Sequence, residues 1–220
     1  AKEYTITNDN YGNYFDNETG DALEEAPFNN GDILKIDNVS DKYFVINKNL
    51  TIMPAGDNIT LKNVGFNFVP GSEGSVVNGL TIDNNVGKWS NNNAIQLVPI
   101  LIQHAKDITV INSYIHSSAA SVPAINGNNT ISQSSGKTPI QIVSSSYNNM
   151  TDNKIYSKAS NVIFIGMGFN TYSVAGISEF NIFKNNIING TTGISSAWCY
   201  AIKLQGNSKQ NKLVGQNTFI

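Results

Sequence analysis

An asparagine returns at a fixed place in a repeated phrase, after a polar run and before an apolar strand residue. The copies read N-N-M-T-D-N-K-I (Asn148 to Ile155), F-N-I-F-K-N-N-I (Phe180 to Ile187) and N-K-L-V-G-Q-N-T-F (Asn211 to Phe219). Aligning Asn153, Asn185 and Asn217 gives two steps of 32 residues (185−153 and 217−185), inside the period range of stacked repeat units. Looser copies surround Asn78, Asn112 and Asn129. An amide recurring once per repeat can sit at an inward bend and hydrogen-bond the units above and below it. It then satisfies backbone groups that a tight bend leaves unpaired. The phrase predicts a parallel β-helix with Asn112, Asn153, Asn185 and Asn217 as an internal asparagine ladder.

Composition agrees with an all-β chain. Only 14% of the 220 residues are charged and 40% are hydrophobic, too apolar for disorder. Leu, Ala, Glu and Lys are too scarce for a helical protein. All 14 basic residues are lysines, and net charge is −2. Without arginine the chain lacks the guanidinium fork used on phosphates and guanine, so no nucleic-acid partner is expected. Ten acids crowd the segment from Glu3 to Asp41, whereas beyond Asp107 only Asp152 and Glu179 are acidic, against seven lysines from Lys137 to Lys212. This asymmetry is read as solvated surface. Cys199 is the only cysteine, so no internal disulfide can form and a buried, small apolar role is expected. No apolar run has transmembrane length, and no membrane contact is expected of this piece, which reads as cut from a longer protein.

Residues 1–41 read as an N-terminal cap. Y-T-I-T and G-D-I-L-K-I are short strands, and N-D-N-Y-G-N-Y-F-D-N-E-T-G-D between them is rich in turns and aromatics. A solenoid needs such an atypical element to close its apolar end. Residues 42–220 read as the stacked coils, in short strands with almost no helical periodicity. A-I-Q-L-V, P-I-Q-I-V and A-I-K-L are expected to form one face in successive coils. Their alternation places Ile95, Leu97, Ile140, Ile142, Ile202 and Leu204 inward and Gln96, Gln141 and Lys203 outward. A hairpin sandwich would need N-G or D-G turns between paired strands. N-G occurs at Asn78, Asn126 and Asn189, but the repeated phrase is not palindromic, and the parallel arrangement is preferred. An open last coil at Ile220 would favour end-to-end association, and the oligomeric state is left open.

Two resemblances follow. The strand-Asn-strand units from about Asn58 to Ile220 resemble the right-handed β-helix repeats of carbohydrate-associated surface proteins and polysaccharide-degrading enzymes. This implies a right-handed, single-stranded parallel β-helix and specifies fold, not activity. The opening Y-T-I-T-N-D-N-Y-G-N-Y-F-D-N-E-T-G, then N-N-G-D-I-L-K-I, K-Y-F-V-I-N-K-N-L-T-I and F-V-P-G-S-E-G-S-V-V-N-G-L-T-I, resembles adhesin-like surface proteins of methanogenic archaea. That resemblance implies an extracellular, cell-surface domain attaching to glycans or proteins of other cells. It carries no catalytic residue and no cofactor.

Glycoside hydrolysis needs two carboxylates about 5–10 Å apart, and Asp152 and Glu179 occupy non-equivalent places in the phrase. Asp83 and Asp107, with His104 and His116 nearby, are the best remaining set for the alternative, a β-helix polysaccharide lyase or glycoside hydrolase domain. The two histidines lack a third ligand at recognisable spacing, so no metal is expected. Asp9, Asp16, Glu18 and Asp21 offer oxygens to calcium without EF-hand spacing, and read better as Asx turns. For sugar binding the expected platforms are Trp89, in a polar loop, and Tyr172; Trp198 is a packed-core candidate. Asn17, Asn38, Asn49, Asn58, Asn128, Asn149 and Asn189 head N-x-S/T triplets, which permit glycosylation without requiring it.

Overall fold

The computed structural model describes residues 1–119, 138–157, 162–166, 176–190, 200–206 and 208–220, with residues 93 and 94 described by their backbone alone. Among them the chain is all-β, its only helical element a single short turn at Tyr11–Asn13. Eight strands form one parallel sheet: β1 (Glu3–Ile6), β2 (Ile33–Ile36), β4 (Thr51–Pro54), β6 (Val76–Asn78), β11 (Thr109–Ile111), β14 (Asn149–Thr151), β18 (Ile182–Lys184) and β22 (Lys212–Val214). The second, strongly curled sheet holds eleven strands and is organised about the long β5 (Leu61–Phe68). One arm runs from β5 through β10 (Ile100–Gln103), β13 (Ile140–Val143) and β16 (Ile163–Gly166) to β20 (Ile202–Leu204). The other runs through β7 (Thr81–Asn84), β12 (Tyr114–Ser117), β15 (Lys154–Ser157) and β19 (Ile187–Asn189) to β23 (Thr218–Phe219). β3 (Ser40–Ile46) also pairs with β5.

β5 joins the two arms because its halves have different partners. Leu61 and Lys62 pair with Ile82 and Asp83 of β7, while Phe66 to Phe68 pair with Ile100 to Ile102 of β10. From Ile100 on, the chain follows one itinerary: first arm, eight-stranded sheet, second arm, then back one strand further along. Every pairing in these rows is parallel.

Register stacks like on like. Val77, Val110, Met150 and Phe183 are consecutive partners in the eight-stranded sheet. Ile82, Ile115, Ile155 and Ile188 form a column in the second arm, and Phe66, Ile100, Ile140 and Ile163 one in the first. All of these residues are buried, each aliphatic side chain contributing roughly 1.5–3 kcal/mol. Leu204, Leu213 and Phe219 continue such columns on the last strands and are about half exposed. Segment 1–41 supplies the first two strands of the sheet. It also supplies Tyr11 and Phe15, whose rings pack with Phe44, itself stacked on Phe66, and Phe28, which packs on Phe15.

The expected grouping of A-I-Q-L-V with P-I-Q-I-V is corrected. Residues 92–96 are β9 (Asn92–Gln96), antiparallel to β8 (Lys88–Trp89) in a hairpin inserted before β10. The strand that precedes I-Q-I-V in its row is I-L-I-Q. Gln96 and Gln141, expected to point into solvent, are both buried. The outer side of this arm is covered in part by a small apolar cluster of Val98, Leu101 and Val143.

The asparagine columns set the corners. Between β14 and β15 the chain turns through only Asp152 and Asn153, and between β18 and β19 through Asn185 and Asn186. The first residue of each pair is left-handed (φ 56° and 55°) and the second points inward and is buried. Asn186 Oδ1 accepts the Asn153 backbone N–H (3.0 Å) and Nδ2–H (3.1 Å), while Asn186 Nδ2 donates to Met150 O (2.9 Å). Asn217 does the same for Asn186, its Nδ2 reaching Phe183 O. One step earlier, Asn153 Oδ1 accepts from Ser113 N, and before it Ser113 Oγ accepts from Leu80 N. The column is therefore Ser113, Asn153, Asn186 and Asn217. Asn153 and Asn217 are ladder members as expected, whereas Asn112 and Asn185 are corrected to the exposed, left-handed position just before it (φ 52° and 55°). Asparagine tolerates that conformation better than most residues.

A second column, unforeseen as such, consists of Asn148, Asn181 and Asn211 at the corners that lead into the eight-stranded sheet. Asn181 Oδ1 accepts Asn148 N and Nδ2, Asn211 Oδ1 accepts Asn181 N and Nδ2, and Ile108 N donates to Asn148 Oδ1. Its left-handed neighbours are Asp107, Tyr147, Phe180 and Gln210.

The two roles predict different mutational costs. Asn186→Ala strips the acceptor from Asn153 N and the donor from Met150 O in a buried site, and is expected to cost about 2–4 kcal/mol in urea unfolding. Asn185→Gly, at the exposed left-handed position, is expected to change stability by less than about 1 kcal/mol.

Candidate functional site

On the second arm the period-2 alternation sends one set of side chains outward. In β7 these are Thr81 and Asp83, in β12 Tyr114 and His116, in β15 Lys154 and Tyr156, and in β19 Ile187 and Asn189; Tyr114, Lys154 and Ile187 are exposed and the others partly buried. Parallel register lines them into two rows. One is Thr81, Tyr114, Lys154 and Ile187; the other is Lys62, Asp83, His116, Tyr156 and Asn189.

The second row is tied together by charge. Asp83 Oδ2 accepts from Lys62 Nζ at 2.6 Å and Oδ1 meets His116 Nδ1 at 2.9 Å. Burial raises the Asp83 pKa, but the Lys62 hydrogen bond and charge, together with His116, outweigh it and hold the carboxyl below its ordinary value. The His116 ring lies against Tyr156 with centroids 4.5 Å apart, and Tyr114 is 6.2 Å away on its own strand. His116 Nε2 is shielded from solvent and has no hydrogen-bond partner. Beside this network a groove of about 280 Å³ is lined by Tyr114, Lys154, Ile155, Tyr156, Ile187 and Asn189. That volume lies just under the range of drug-sized pockets, ~300–1,000 Å³, and suits a single small ring at a time.

The residues expected to carry function fall elsewhere. Trp89 has no exposed surface: its ring packs on Tyr43 and Leu97, and Nε1 donates to Asp41 O at 2.9 Å. It offers no face to a sugar and instead clamps the β8–β9 hairpin, whose Asn91 and Asn92 amides reach the carbonyls of Asn17 and Glu18. Tyr172, Trp198 and Cys199 lie outside the described residues. Of the acid and histidine set, Asp83 and His116 are brought into contact. Asp107 and His104 stand at left-handed bends (φ 57° and 52°) flanking the turn between β10 and β11. Asp107 there pairs through its backbone with Gly74 and Ser146. Burial lowers the His104 pKa below its ordinary value. Among the described residues no three acids, histidines or cysteines gather as a metal site. Asp16 Oδ1 accepts the Glu18 and Thr19 amides, an Asx turn that holds its pKa low.

Tyr114, Tyr156, Lys154, Ile187 and Asn189 were missed as a group. The signal was present in Y-I-H-S and K-I-Y-S, which share one phase of alternation once the buried isoleucines Ile115 and Ile155 are aligned. Another aromatic pair, the exposed Tyr147 and the partly buried Phe180, stacks at 5.2 Å along the second corner, with both residues left-handed (φ 60° and 56°). The stack contributes about 0.5–1.5 kcal/mol against roughly 1–2 kcal/mol of left-handed strain per residue.

No protein-family model matches the chain, and no curated protein shows significant similarity to it.

Titration separates the two histidine and acid environments. The lowered His104 pKa means that its neutral form is favoured by folding. Its contribution is present above the ordinary value of 6.5 and lost as pH falls below it. Asp83 favours its charged form, so its contribution is lost only as pH falls below about 4. Urea midpoints measured against pH should therefore lose their slope near pH 6 in His104→Asn, and lose slope only below about pH 4 in Asp83→Asn.

Proposed function

We propose that the chain is an extracellular, adhesin-like domain of the kind found on methanogenic archaea: a right-handed, single-stranded parallel β-helix that attaches to glycans or proteins of other cells without catalysis of its own. Handedness follows from the rule that parallel strands of one sheet are joined by right-handed crossovers in about 98% of cases. Residues 1–41 would cap the first coil with the Tyr11, Phe15 and Phe28 cluster, and residues 42–220 would form the coils.

The observation that carries the reading is how the polar side chains are divided. Inward asparagines are consumed by hydrogen bonds to the backbone and to one another, with Asn153 and Asn186 each using both amide hydrogens and the carbonyl oxygen. Outward, Tyr114, Tyr156, Lys154 and Asn189 line an open groove on a rigid sheet. A stiff rod with aromatic and polar rows on one face is suited to display and contact.

One observation favours the second reading, a polysaccharide lyase or hydrolase domain: the Asp83–His116 pair beside Tyr156. Against it, His116 Nε2 is shielded from solvent and the imidazole packs against the Tyr156 ring, so in this arrangement the nitrogen is not presented to a substrate atom.

The test is retention of cells and of arrayed glycans by the immobilised chain, run beside a turnover assay on uronic-acid polymers. Saturable retention without product formation is the expected result. Turnover abolished by Asp83→Ala or Asp107→Ala would instead establish the enzyme.

A further inference from the structure

We propose that the groove between Tyr114 and Tyr156 binds an anionic sugar: a pyranose ring packed on the tyrosines, its carboxylate or sulfate paired with Lys154. The inference rests on the attachment reading and names the ligand class of that face.

Three features converge on it. The lining is amphipathic in the way a sugar ring requires. Two phenol rings and the Ile187 side chain provide apolar surface, and the Asn189 amide and the phenol hydroxyls provide hydrogen-bonding groups. Lys154 is exposed and, among the described residues, forms no ion pair, so its ammonium is the one full charge on the groove wall. The nearest acid on this face, Asp83, would repel an anion if it were bare. It is instead neutralised on one oxygen by Lys62 and hydrogen-bonded on the other by His116. The same pairing turns the Asp83 carboxylate toward Lys62 and the imidazole, leaving the groove side of the row to Tyr156 and Asn189.

The groove also runs across the strands, from Tyr114 on β12 through Lys154 and Tyr156 on β15 to Ile187 and Asn189 on β19. Neighbouring strands stand about 4.8 Å apart, so three strands present about one sugar-sized step on either side of Lys154. An oligosaccharide lying along the row would place its acidic ring over Lys154 and Tyr156 on β15, with the neighbouring rings against Tyr114 on β12 and Ile187 on β19.

The experiment titrates the whole chain, by calorimetry and by NMR, with three probes: an oligogalacturonate, a sulfated oligogalactan and a neutral cello-oligosaccharide. The expected result is tighter binding of at least one acidic probe than of the neutral one, weakened by added salt. Lys154→Gln should lower acidic-probe affinity about tenfold and leave neutral-sugar affinity unchanged. Tyr114→Ala should lower affinity for every bound probe by about tenfold. Both side chains are exposed, so neither substitution removes core, and Tyr147→Ala at the distant corner serves as a control that should bind normally. The carboxylated and sulfated arms separate the two anion sources. The inference is overturned if no acidic probe binds, if both substitutions leave binding intact, or if inorganic sulfate at equal ionic strength competes as well as the oligosaccharide. Retention of cells that persists while all acidic probes fail would overturn this inference alone. Loss of all cell and glycan retention would overturn the attachment reading beneath it.

Discussion

A parallel chain that turns a corner in two residues strands its backbone amides, and the structure depends on how asparagine side chains satisfy them. A left-handed residue bends the chain, and the next residue points inward, where water cannot reach. An unpaired N–H there costs about 1–3 kcal/mol, and the cost recurs at every corner. Asparagine is suited to the position because one side chain offers an acceptor and two donors. Its oxygen takes the amide of the preceding circuit while its nitrogen reaches that circuit's carbonyl. Aspartate would lack the donors. Serine, as at Ser113, can accept Leu80 N and donate to Ile111 O but cannot bridge in both directions.

This division of labour explains what could be read from the sequence. The recurrence near 32 residues, the parallel all-β class and the inward role of Asn153 and Asn217 were legible, because a stacked repeat must reuse chemistry at equivalent places. The member between them was misplaced by one residue. Asn185 and Asn186 are adjacent asparagines, and the sequence favours both positions equally: one needs tolerance of positive φ, the other needs the amide. What separates them is the buried column, since Ile155, Ile188 and Phe219 pair in register and each ladder asparagine stands two residues before its column member. The hairpin at 88–96 was hidden for a similar reason. A-I-Q-L-V has the alternation of a row strand, and only its pairing with Lys88–Trp89 reveals otherwise.

The candidate site was legible in part. Asp83 and His116 were noticed as polar residues in mid-chain strands, but 33 residues separate them, and only the register of β7 on β12 brings them together. Trp89 illustrates the opposite failure. A polar loop around a tryptophan reads as exposed, yet the loop folds back so that the indole fills a pocket against Tyr43 and Leu97. The outward rows inherit their geometry from the inward ones. The isoleucine columns and asparagine corners that lock each circuit also fix Tyr114, Lys154 and Tyr156 at neighbouring strand spacings, without a loop to position them.

Hydrogen exchange of the ladder amides tests this account most directly. In native-state NMR the side-chain Nδ2 protons of Asn148, Asn153, Asn181 and Asn186 should be resolved, non-averaged and protected to a free energy close to that of global unfolding. Those of the exposed Asn13 and Asn58 should exchange freely. Ladder amides that exchange as fast as Asn13 and Asn58 would contradict the claim that these columns hold the corners.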